Sequence, residues 1–571
     1  MRRLRTSVIF VGLLLAVVFV RLVWLQGIDS AGYALAASKE RLGSVTLHAA
    51  RGSILDRNGV ALAYTADARD IVADPSMIRP DQFDAYARAL APLVQQPFGA
   101  TRRLLMPKSV DDRYSVLATA LSPSVAKQVE DLKLVGIYTE ATLQRLYPAG
   151  RIGANILGAI HSDGSGAAGI EQSYDSFLKG IDGSVNYEID ANGNVNPSGL
   201  IKRRNAVDGG TVSLTIDQDL QFTAQQYLND AVRQSGARSG QIAILDVQSG
   251  QVRALASTGG FDPQNPTTIP NGVLDPNIQQ VFEPGSANKI VTMSAALERG
   301  LITPMSLFSV PDNIDVGGVN IHDAWWHPVQ RFTATGILAE SSNVGTLLIA
   351  HKVGEQAFYE YLRKFGLGQP TGIELPGESA GLLPDPSQWS SSTFANLPIG
   401  QGVAMTSLQL ASMYQAIAND GKRIPPRIVL SQTNPDGGVT VAAQPAAVTV
   451  VSAMTARTVR RMLESVTLPG GTGKKAAVPG YRIAGKTGTA QQIDPATGAY
   501  SDSMYWDTFA GMAPADHPRF AVAIMIDNPA HGLHGGDVAA PLFKEIAAYE
   551  LSAAKIPPSG SQSVLVPLTM K

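Results

Sequence analysis

The chain has 571 residues, enough by length for two to four domains. Apolar residues make up 44% and charged residues 16%, a composition that builds packed cores and excludes a wholly disordered chain. A net charge of −2 argues against a nucleic-acid polyanion as the main partner. The absence of cysteine excludes disulfides and thiolate metal sites and suits an oxidising compartment.

Arg2, Arg3 and Arg5 precede the apolar run SVIFVGLLLAVVFVRLVWLQ, and from Ser7 to Leu25 only Arg21 is charged. At about 1.5 Å per residue that stretch reaches roughly 28 Å, close to the hydrocarbon thickness of a bilayer. Arg21 lies near the far end, where its side chain can snorkel, and Trp24 is placed like an interfacial aromatic. The run predicts a transmembrane anchor over residues 7–25. The arginines before it predict a cytoplasmic tail of residues 1–6 and an exported remainder. A cleaved signal peptide is the competing reading, but its candidate site, Ala34-Leu35-Ala36, lies well past the apolar run. No later segment is apolar for long enough to span again, which predicts a single-pass protein in the cell membrane.

Residues 26–220 alternate short strand-like runs with loops, predicting a mixed α+β domain. RGSILDRNGVALA (Arg51 to Ala63) reads as strand, turn and strand, with Arg57-Asn58-Gly59 at the turn. Leu121 to Leu134 reads as a helix with Pro123 in its first turn. The glycine-rich stretch from Gly150 to Gly183 reads as loops around short elements, and Asp163, Gly164 and Gly166 lack a phosphate-cradling context.

Near Thr215 the texture changes. TIDQDLQFTAQQYLNDAVRQ predicts a helix capped by Asp217, with Leu220, Ala224, Leu228 and Val232 on one face. QIAILDVQSGQVRALAS predicts a hairpin around Ser249-Gly250. Helical patterns dominate from there to about Leu463, followed by two strand candidates, YRIAGKTGTAQQ and RFAVAIMIDNP. Strands at both ends with helices between predict one α/β domain over residues 221–555, its sheet closed by segments distant in sequence. The Ser- and Pro-rich residues 556–571 predict a flexible tail.

One short motif carries chemistry if its setting permits. Ser-x-x-Lys occurs at Ser124/Lys127, Ser176/Lys179, Ser286/Lys289 and Ser552/Lys555. Only Ser286 stands at the head of an apolar helical pattern (Ile290, Val291, Met293, Ala296, Leu297), entered through Pro284-Gly285. Residues three apart share a helix face, so Lys289 can reach the Ser286 hydroxyl. Burial and the positive end of the helix dipole both disfavour an ammonium there, and a neutral amine can take a proton from serine. The alternative is a capping serine with a solvated lysine, and this stretch alone supports both. Two further elements favour the chemistry. Ser341-Ser342-Asn343 precedes a second apolar helix, VGTLLIAHKVG. Lys486-Thr487-Gly488-Thr489 lies on a strand candidate, where glycine permits close backbone approach and a cation beside hydroxyls can hold a carboxylate.

Ser286-x-x-Lys289, Ser341-x-Asn343 and Lys486-Thr487-Gly488, in this order, resemble the motifs of penicillin-binding proteins and serine β-lactamases, with Ser342 where the family pattern has Asp. RGSILDRNG, YPAGRIGANILG and GIEQSYDSFLKG resemble the non-catalytic domain of the monofunctional class B proteins. LTIDQDLQ, GQGVAMTSLQLA and GGDVAAPLFKEI resemble their transpeptidase domain. Phe282-Glu283-Pro284-Gly285-Ser286 is more similar to the septal, division-type members than to elongation-type ones. The resemblance implies a β-lactamase-like α/β transpeptidase fold, an antiparallel sheet with a helical subdomain, on a pedestal or dimerisation-type domain. It implies a D,D-transpeptidase that cross-links stem peptides and is a β-lactam target. In that reading Ser286 is the nucleophile, Lys289 its base, Ser341 the proton relay and Asn343 an orienting group. Lys486 supplies positive potential, Thr487, Gly488 and Thr489 bind the terminal carboxylate, and the N–H groups of Ser286 and Thr489 form an oxyanion hole. The implied partners are peptidoglycan stem peptides, β-lactams, the membrane, a multi-pass lipid II polymerase and division proteins.

His322, His327, His531 and His534 have no metal-ligand spacing, and neither a metal nor a cofactor is expected. His322-Asp323 with Trp325-Trp326 is expected near Ser341, more in a structural role than in substrate contact. A binding or sensor protein that acylates without cross-linking, an elongation-type enzyme and a hydrolytic β-lactamase are the alternatives. The anchor and the large N-terminal region disfavour the last.

Overall fold

In the computed structural model, residues 2–28, 42–109, 112–189, 201–269, 274–390, 392–530 and 532–570 are described. Backbone contacts divide the chain into two compact units with interleaved segments. One takes residues 1–51, 66–144 and 179–209, and the other takes 52–65, 145–178 and 210–571. The change of texture near residue 220 implies a contiguous boundary, whereas the contact-based units interleave. Long-range pairing explains the second unit: Ile54-Leu55 lies parallel to Val212-Ser213. The buried Arg145 donates to Glu171 Oε1 (2.8 Å) and to Gly52 O (2.7 Å).

In the first unit, Arg2–Val23 is α-helical and Trp24–Ile28 continues as a π-helical turn. Arg3–Gly27, with a mean hydropathy of 2.8, is long and apolar enough to cross a membrane. Leu42–Leu47, Gly183–Glu188 and Ile201–Arg204 form a three-stranded antiparallel sheet. A separate small core gathers Ile71, Phe83, Leu90, Leu105, Leu117 and Val129 beneath short helices. One of these, Pro123–Asp131, is capped by Ser122, with Pro123 in its first turn as predicted.

The second unit is built on a sheet whose strands come from both ends of the segment. Helix α1 (Gln218–Ser235) begins at Asp217, whose carboxylate accepts from Leu220 N. Strands β1 (Ser239–Asp246) and β2 (Val252–Ser257) form the predicted hairpin. Helices α2 (Lys289–Glu298), α3 (Asn343–Val353) and α4 (Ser407–Ala418) follow. Strands β3 (Ala484–Ile493), β4 (Tyr500–Ala513) and β5 (Phe520–Asp527) complete the sheet before helix α5 (Ala539–Ala553). The order is β2-β1-β5-β4-β3, antiparallel throughout.

Alternation along the strands feeds two cores. Ala243, Leu245, Ala521, Ala523 and Met525 join the core shared with α2 and α4. Ile242, Ile244, Val522, Ile524 and Ile526 join the core shared with α1 and α5. A sheet covered on both faces is buried on both faces, so its strands need no polar stripe. That is why β4 escapes a reading by periodicity. Its sequence starts with Tyr500, Asp502 and Ser503 exposed, then passes through Asp507, Thr508 and Gly511 in buried positions.

Two expectations need correction. The helical region also holds the four-residue strands Leu307–Val310, Asn313–Val316, Val319–His322 and Gln330–Thr333, paired as two hairpin-like sheets. Strands that short carry no readable period. The residues 556–571, expected as a flexible tail, are docked. Ser559 N donates to Gly480 O and Tyr481 OH to Ile556 O. Further on, Thr333 N donates to Leu568 O and Met570 N to Arg331 O, so Thr569 forms a single antiparallel bridge with Phe332. Backbone pairing of this kind needs no apolar pattern, so a Ser- and Pro-rich composition does not reveal it.

Candidate active site

Ser286 lies not in the α-helix proper but in a 3₁₀ turn, Gly285–Asn288, that feeds into α2 at Lys289. Its side chain caps nothing, and among the described residues its hydroxyl has no hydrogen-bond partner. The turn itself is held from several sides. Gly285 N donates to Gly400 O, Tyr414 OH to Ala287 O (2.9 Å), Asn288 Nδ2 to Leu397 O (2.9 Å) and Thr508 Oγ1 to Pro284 O (3.2 Å). Glu283 Oε1 accepts from Gly402 N (2.9 Å) and from Tyr500 OH (3.0 Å). Gly285 has φ +55°, and a Cβ there would lie 2.7 Å from Thr489 O and 3.1 Å from Thr489 N. The turn and β3 therefore meet backbone to backbone.

Lys289 is fully buried and points at the Ser341 segment. Its Nζ donates to Ser341 O (2.6 Å) and Asn343 Oδ1 (2.7 Å) and lies 3.3 Å from Ser341 Oγ. Ser341 has φ +66°, a left-handed conformation that costs a non-glycine residue roughly 1–3 kcal/mol. Ser342 then caps α3 by accepting from Gly345 N (2.8 Å). This accounts for the departure from the family pattern, because serine and aspartate are equally good helix caps. The α3 terminus is braced further by Asp323, whose Oδ1 accepts from Asn343 N (2.5 Å) and Val344 N (3.0 Å). Asn343 Nδ2 donates to His322 O (2.9 Å), so His322 and Asp323 do adjoin the Ser341 segment as expected.

The Lys486-Thr487-Gly488-Thr489 segment lies on β3, the edge strand of the sheet. Lys486 Nζ donates to Ser341 Oγ (2.9 Å) and to Thr487 O (2.9 Å). Thr487 Oγ1 is 2.7 Å from Thr472 Oγ1. Thr489 Oγ1 donates to Asp507 Oδ1 (2.9 Å) and accepts from Gly535 N (3.3 Å). A Cβ on Gly488 would lie 2.2 Å from Thr508 Oγ1 and 2.4 Å from Pro284 O. The need for glycine there comes from the turn carrying Ser286, where the sequence alone had pointed to the approach of a substrate.

The electrostatics follow from burial. Desolvation pulls the Lys289 ammonium down to about 7, against the pull of Asp323 in the other direction. Lys486, equally buried, is lowered by desolvation and then by the like charge of Lys289. Burial pushes the Asp507 carboxyl up to about 7, and its Oδ2 has no partner. Burial also raises Glu283, whose Oε2 is unpartnered. A neutral Lys289 has two N–H groups for Ser341 O and Asn343 Oδ1 and one lone pair left to accept a hydroxyl proton.

The structure thus brings Lys289, Ser341, Asn343, Lys486 and Thr487 into one hydrogen-bonded network. It sets Ser286 on the turn against Gly488 and Thr489. The other three Ser-x-x-Lys pairs are exposed, and Lys127 is bonded to Asp131 (3.0 Å). His531 lies outside the described residues. Sequence reading missed Thr472, Asp507, Tyr414 and Tyr500. None of the four carries a local signal, Asp507 lying on a strand that also holds Ser501, Asp502, Ser503 and Thr508. Among the described residues, no group of three or more His, Asp or Glu side chains is arranged to hold a metal.

Comparison with known proteins agrees with this geometry. Residues 240–548 match the penicillin binding protein transpeptidase domain, and residues 46–214 match the penicillin-binding protein dimerisation domain. The penicillin-binding protein PbpB of Mycolicibacterium smegmatis is 44% identical over 97% of this chain and 91% of its own length. The peptidoglycan D,D-transpeptidase FtsI of Escherichia coli K12 is 35% identical over 96% of this chain and 91% of its own. The crystal structure of penicillin binding protein 3 from Mycobacterium tuberculosis, complexed with aztreonam, is 41% identical with a TM-score of 0.73. That match covers 92% of this chain and all of the other. The sheet, the buried lysines and both matched domains place the chain in one group: it belongs to the penicillin-binding proteins with a transpeptidase domain.

Proposed function

We propose that this protein is a septal peptidoglycan D,D-transpeptidase acting through a Ser286 acyl-enzyme. The observation that carries the chemistry is Ser341 Oγ, which sits within hydrogen-bond reach of both Lys289 Nζ (3.3 Å) and Lys486 Nζ (2.9 Å). A hydroxyl between two lysines is a path for a proton, and burial keeps a neutral amine available at one end of it.

In the first half-reaction, Ser286 Oγ attacks the carbonyl carbon of a D-Ala–D-Ala bond and its proton passes to Lys289. The C–N bond then breaks, and the departing D-alanine amine takes its proton by way of Ser341. Asn343 orients Lys289 and the substrate amide. Thr487 and Thr489 bind the terminal carboxylate beside Gly488. Lys486 supplies the counter-charge, since an arriving carboxylate raises its proton affinity again. Backbone N–H groups of Ser286 and Thr489 stabilise the oxyanion, each donor being worth about 3–4 kcal/mol. In the second half-reaction an amine of a neighbouring stem attacks the ester, Ser286 leaves as the alcohol, and the cross-link remains. β-Lactams enter by the first half-reaction and stop there.

The N-terminal helix supports a single-pass anchor with a cytoplasmic N-terminus and an exported catalytic domain, the positive residues lying before the span. The 26–220 region serves as a pedestal for partner binding, and a multi-pass lipid II polymerase with division proteins is the expected company. Glu283 favours the septal over the elongation role. Two measurements test the reading. Purified full-length protein given polymerised lipid II should release D-alanine and form cross-linked dimers. A tagged copy should gather at midcell. D-alanine release without dimers would leave a hydrolase, and sidewall patches would indicate elongation.

A further inference from the structure

Behind the α3 terminus sits a group that the reaction scheme leaves unused. His327 is buried, 5% exposed, and both of its ring nitrogens face oxygen. Nδ1 lies 2.8 Å from Pro328 O, and Nε2 lies 3.0 Å from Asp323 Oδ2. A carbonyl oxygen only accepts, so Nδ1 carries a proton. Asp323 Oδ1 meanwhile accepts two backbone N–H groups, from Asn343 and Val344, and its Oδ2 faces Nε2. A carboxylate oxygen accepts, so Nε2 carries a proton as well.

We propose that His327 is a positioning residue, held as an imidazolium, which fixes Asp323 and through it the Asn343 end of α3 against Lys289. The chain of contacts is continuous: His327 to Asp323, Asp323 to Asn343 N, Asn343 Oδ1 to Lys289 Nζ. Asp323 acts on Lys289 in a second way, as the negative charge that opposes its desolvation. The charged groups facing the imidazole are Asp323, Asp312 and Glu340, all acidic, while the Trp325 and Phe332 rings lie 5.6 and 5.7 Å away. Burial lowers the proton affinity of His327, but its bonds to Pro328 O and Asp323 outweigh that and raise it above the ordinary histidine value. The same loop presents Trp326 to solvent, 80% exposed.

Loss of the His327 proton leaves one ring nitrogen facing an oxygen with no hydrogen between them. Activity should therefore fall on the alkaline side for a reason separate from the acid limb set by Lys289. This inference rests on the reading of Ser286 and Lys289 as the reacting pair, and its tests separate the two. In detergent-solubilised full-length protein, the second-order rate of acylation by a fluorescent penicillin is measured from pH 5.5 to 10. His327→Gln should lower the rate several-fold at the optimum and move the alkaline limb to higher pH, leaving the acid limb in place. Asp323→Asn should move the acid limb to lower pH. An unchanged alkaline limb in His327→Gln would overturn the proposal. Should that variant not fold, nitrogen NMR of ring-labelled wild-type protein decides. One of the eight histidine rings should keep both ring protons at pH 7.5, and eight neutral rings would overturn the proposal. An adduct that persists in Ser286→Ala would instead count against the catalytic reading, whatever the state of His327.

Discussion

Lys486 Nζ lies 2.9 Å from Ser341 Oγ, joining strand β3 to the segment that precedes α3. Ser341 holds this place in a left-handed backbone conformation, φ +66°. Strain of this kind persists only where the surroundings hold it. Ser341→Gly should relieve the strain and remove the hydroxyl together. Thermal unfolding should show stability unchanged or raised by about 1 kcal/mol, set against the lost hydrogen bonds. Acylation by a penicillin should fall by about 10²- to 10⁴-fold, the usual worth of a proton-transfer group. A variant that is both less stable and fully active would contradict the role of Ser341.

The lowered Lys289 sets a pH dependence whose sign can be worked out. Its folded-state value of about 7 lies below the ordinary lysine value of 10.5. Between those two values the folded protein binds fewer protons than the unfolded chain, so this group's contribution to stability grows as pH rises across that window. In the proposed reaction, activity needs the neutral amine. The acylation rate should drop about tenfold per pH unit below roughly 7. Stopped-flow acylation with a fluorescent penicillin measures it, and a rate flat from pH 5 to 8 would contradict the assignment.

Gly488 is required by the turn that carries Ser286. A methyl group there meets Thr508 Oγ1 and Pro284 O well inside contact distance. Gly488→Ala should therefore push the turn away from β3, destabilise by about 1–3 kcal/mol and slow acylation. Unfolding and acylation kinetics on the same sample check both. If acylation slows with no loss of stability, the glycine serves substrate approach, as the sequence alone suggested.

What the sequence disclosed and what it hid follow one rule. Ser286, Lys289, Ser341, Asn343 and Lys486 were readable because each lies in a short motif beside an apolar helix or strand. Asp217 and Ser122 were readable as caps because capping is local. Strand β4 was hidden because a strand covered on both faces has no alternation, and Asp507 was hidden with it. The turn's braces, Tyr414 OH and the Gly400 carbonyl, come from more than a hundred residues away, and no local pattern marks them. The same limit concealed the docking of the C-terminal residues and the interleaving of the two units.

The docked C-terminus carries its own prediction. Pro567 O accepts from Thr333 Oγ1 (2.8 Å), and Leu568 O accepts from Thr333 N, at the residue that caps the helix leading to Ser341. Removal of residues 562–571 leaves these backbone groups to water. Each net hydrogen bond is worth about 0.5–1.5 kcal/mol, so a loss of roughly 1–3 kcal/mol is expected in thermal unfolding. Hydrogen exchange should quicken at residues 331–342. Unchanged exchange there would show that the tail does not support the Ser341 segment.

The central claim is that Ser286 is the nucleophile. Full-length protein is incubated with a penicillin, digested, and its adduct located by tandem mass spectrometry. One acyl group per chain on Ser286, long-lived in wild type and absent from Ser286→Ala, is the expected result. An adduct on another residue, or one that survives in Ser286→Ala, would contradict the account.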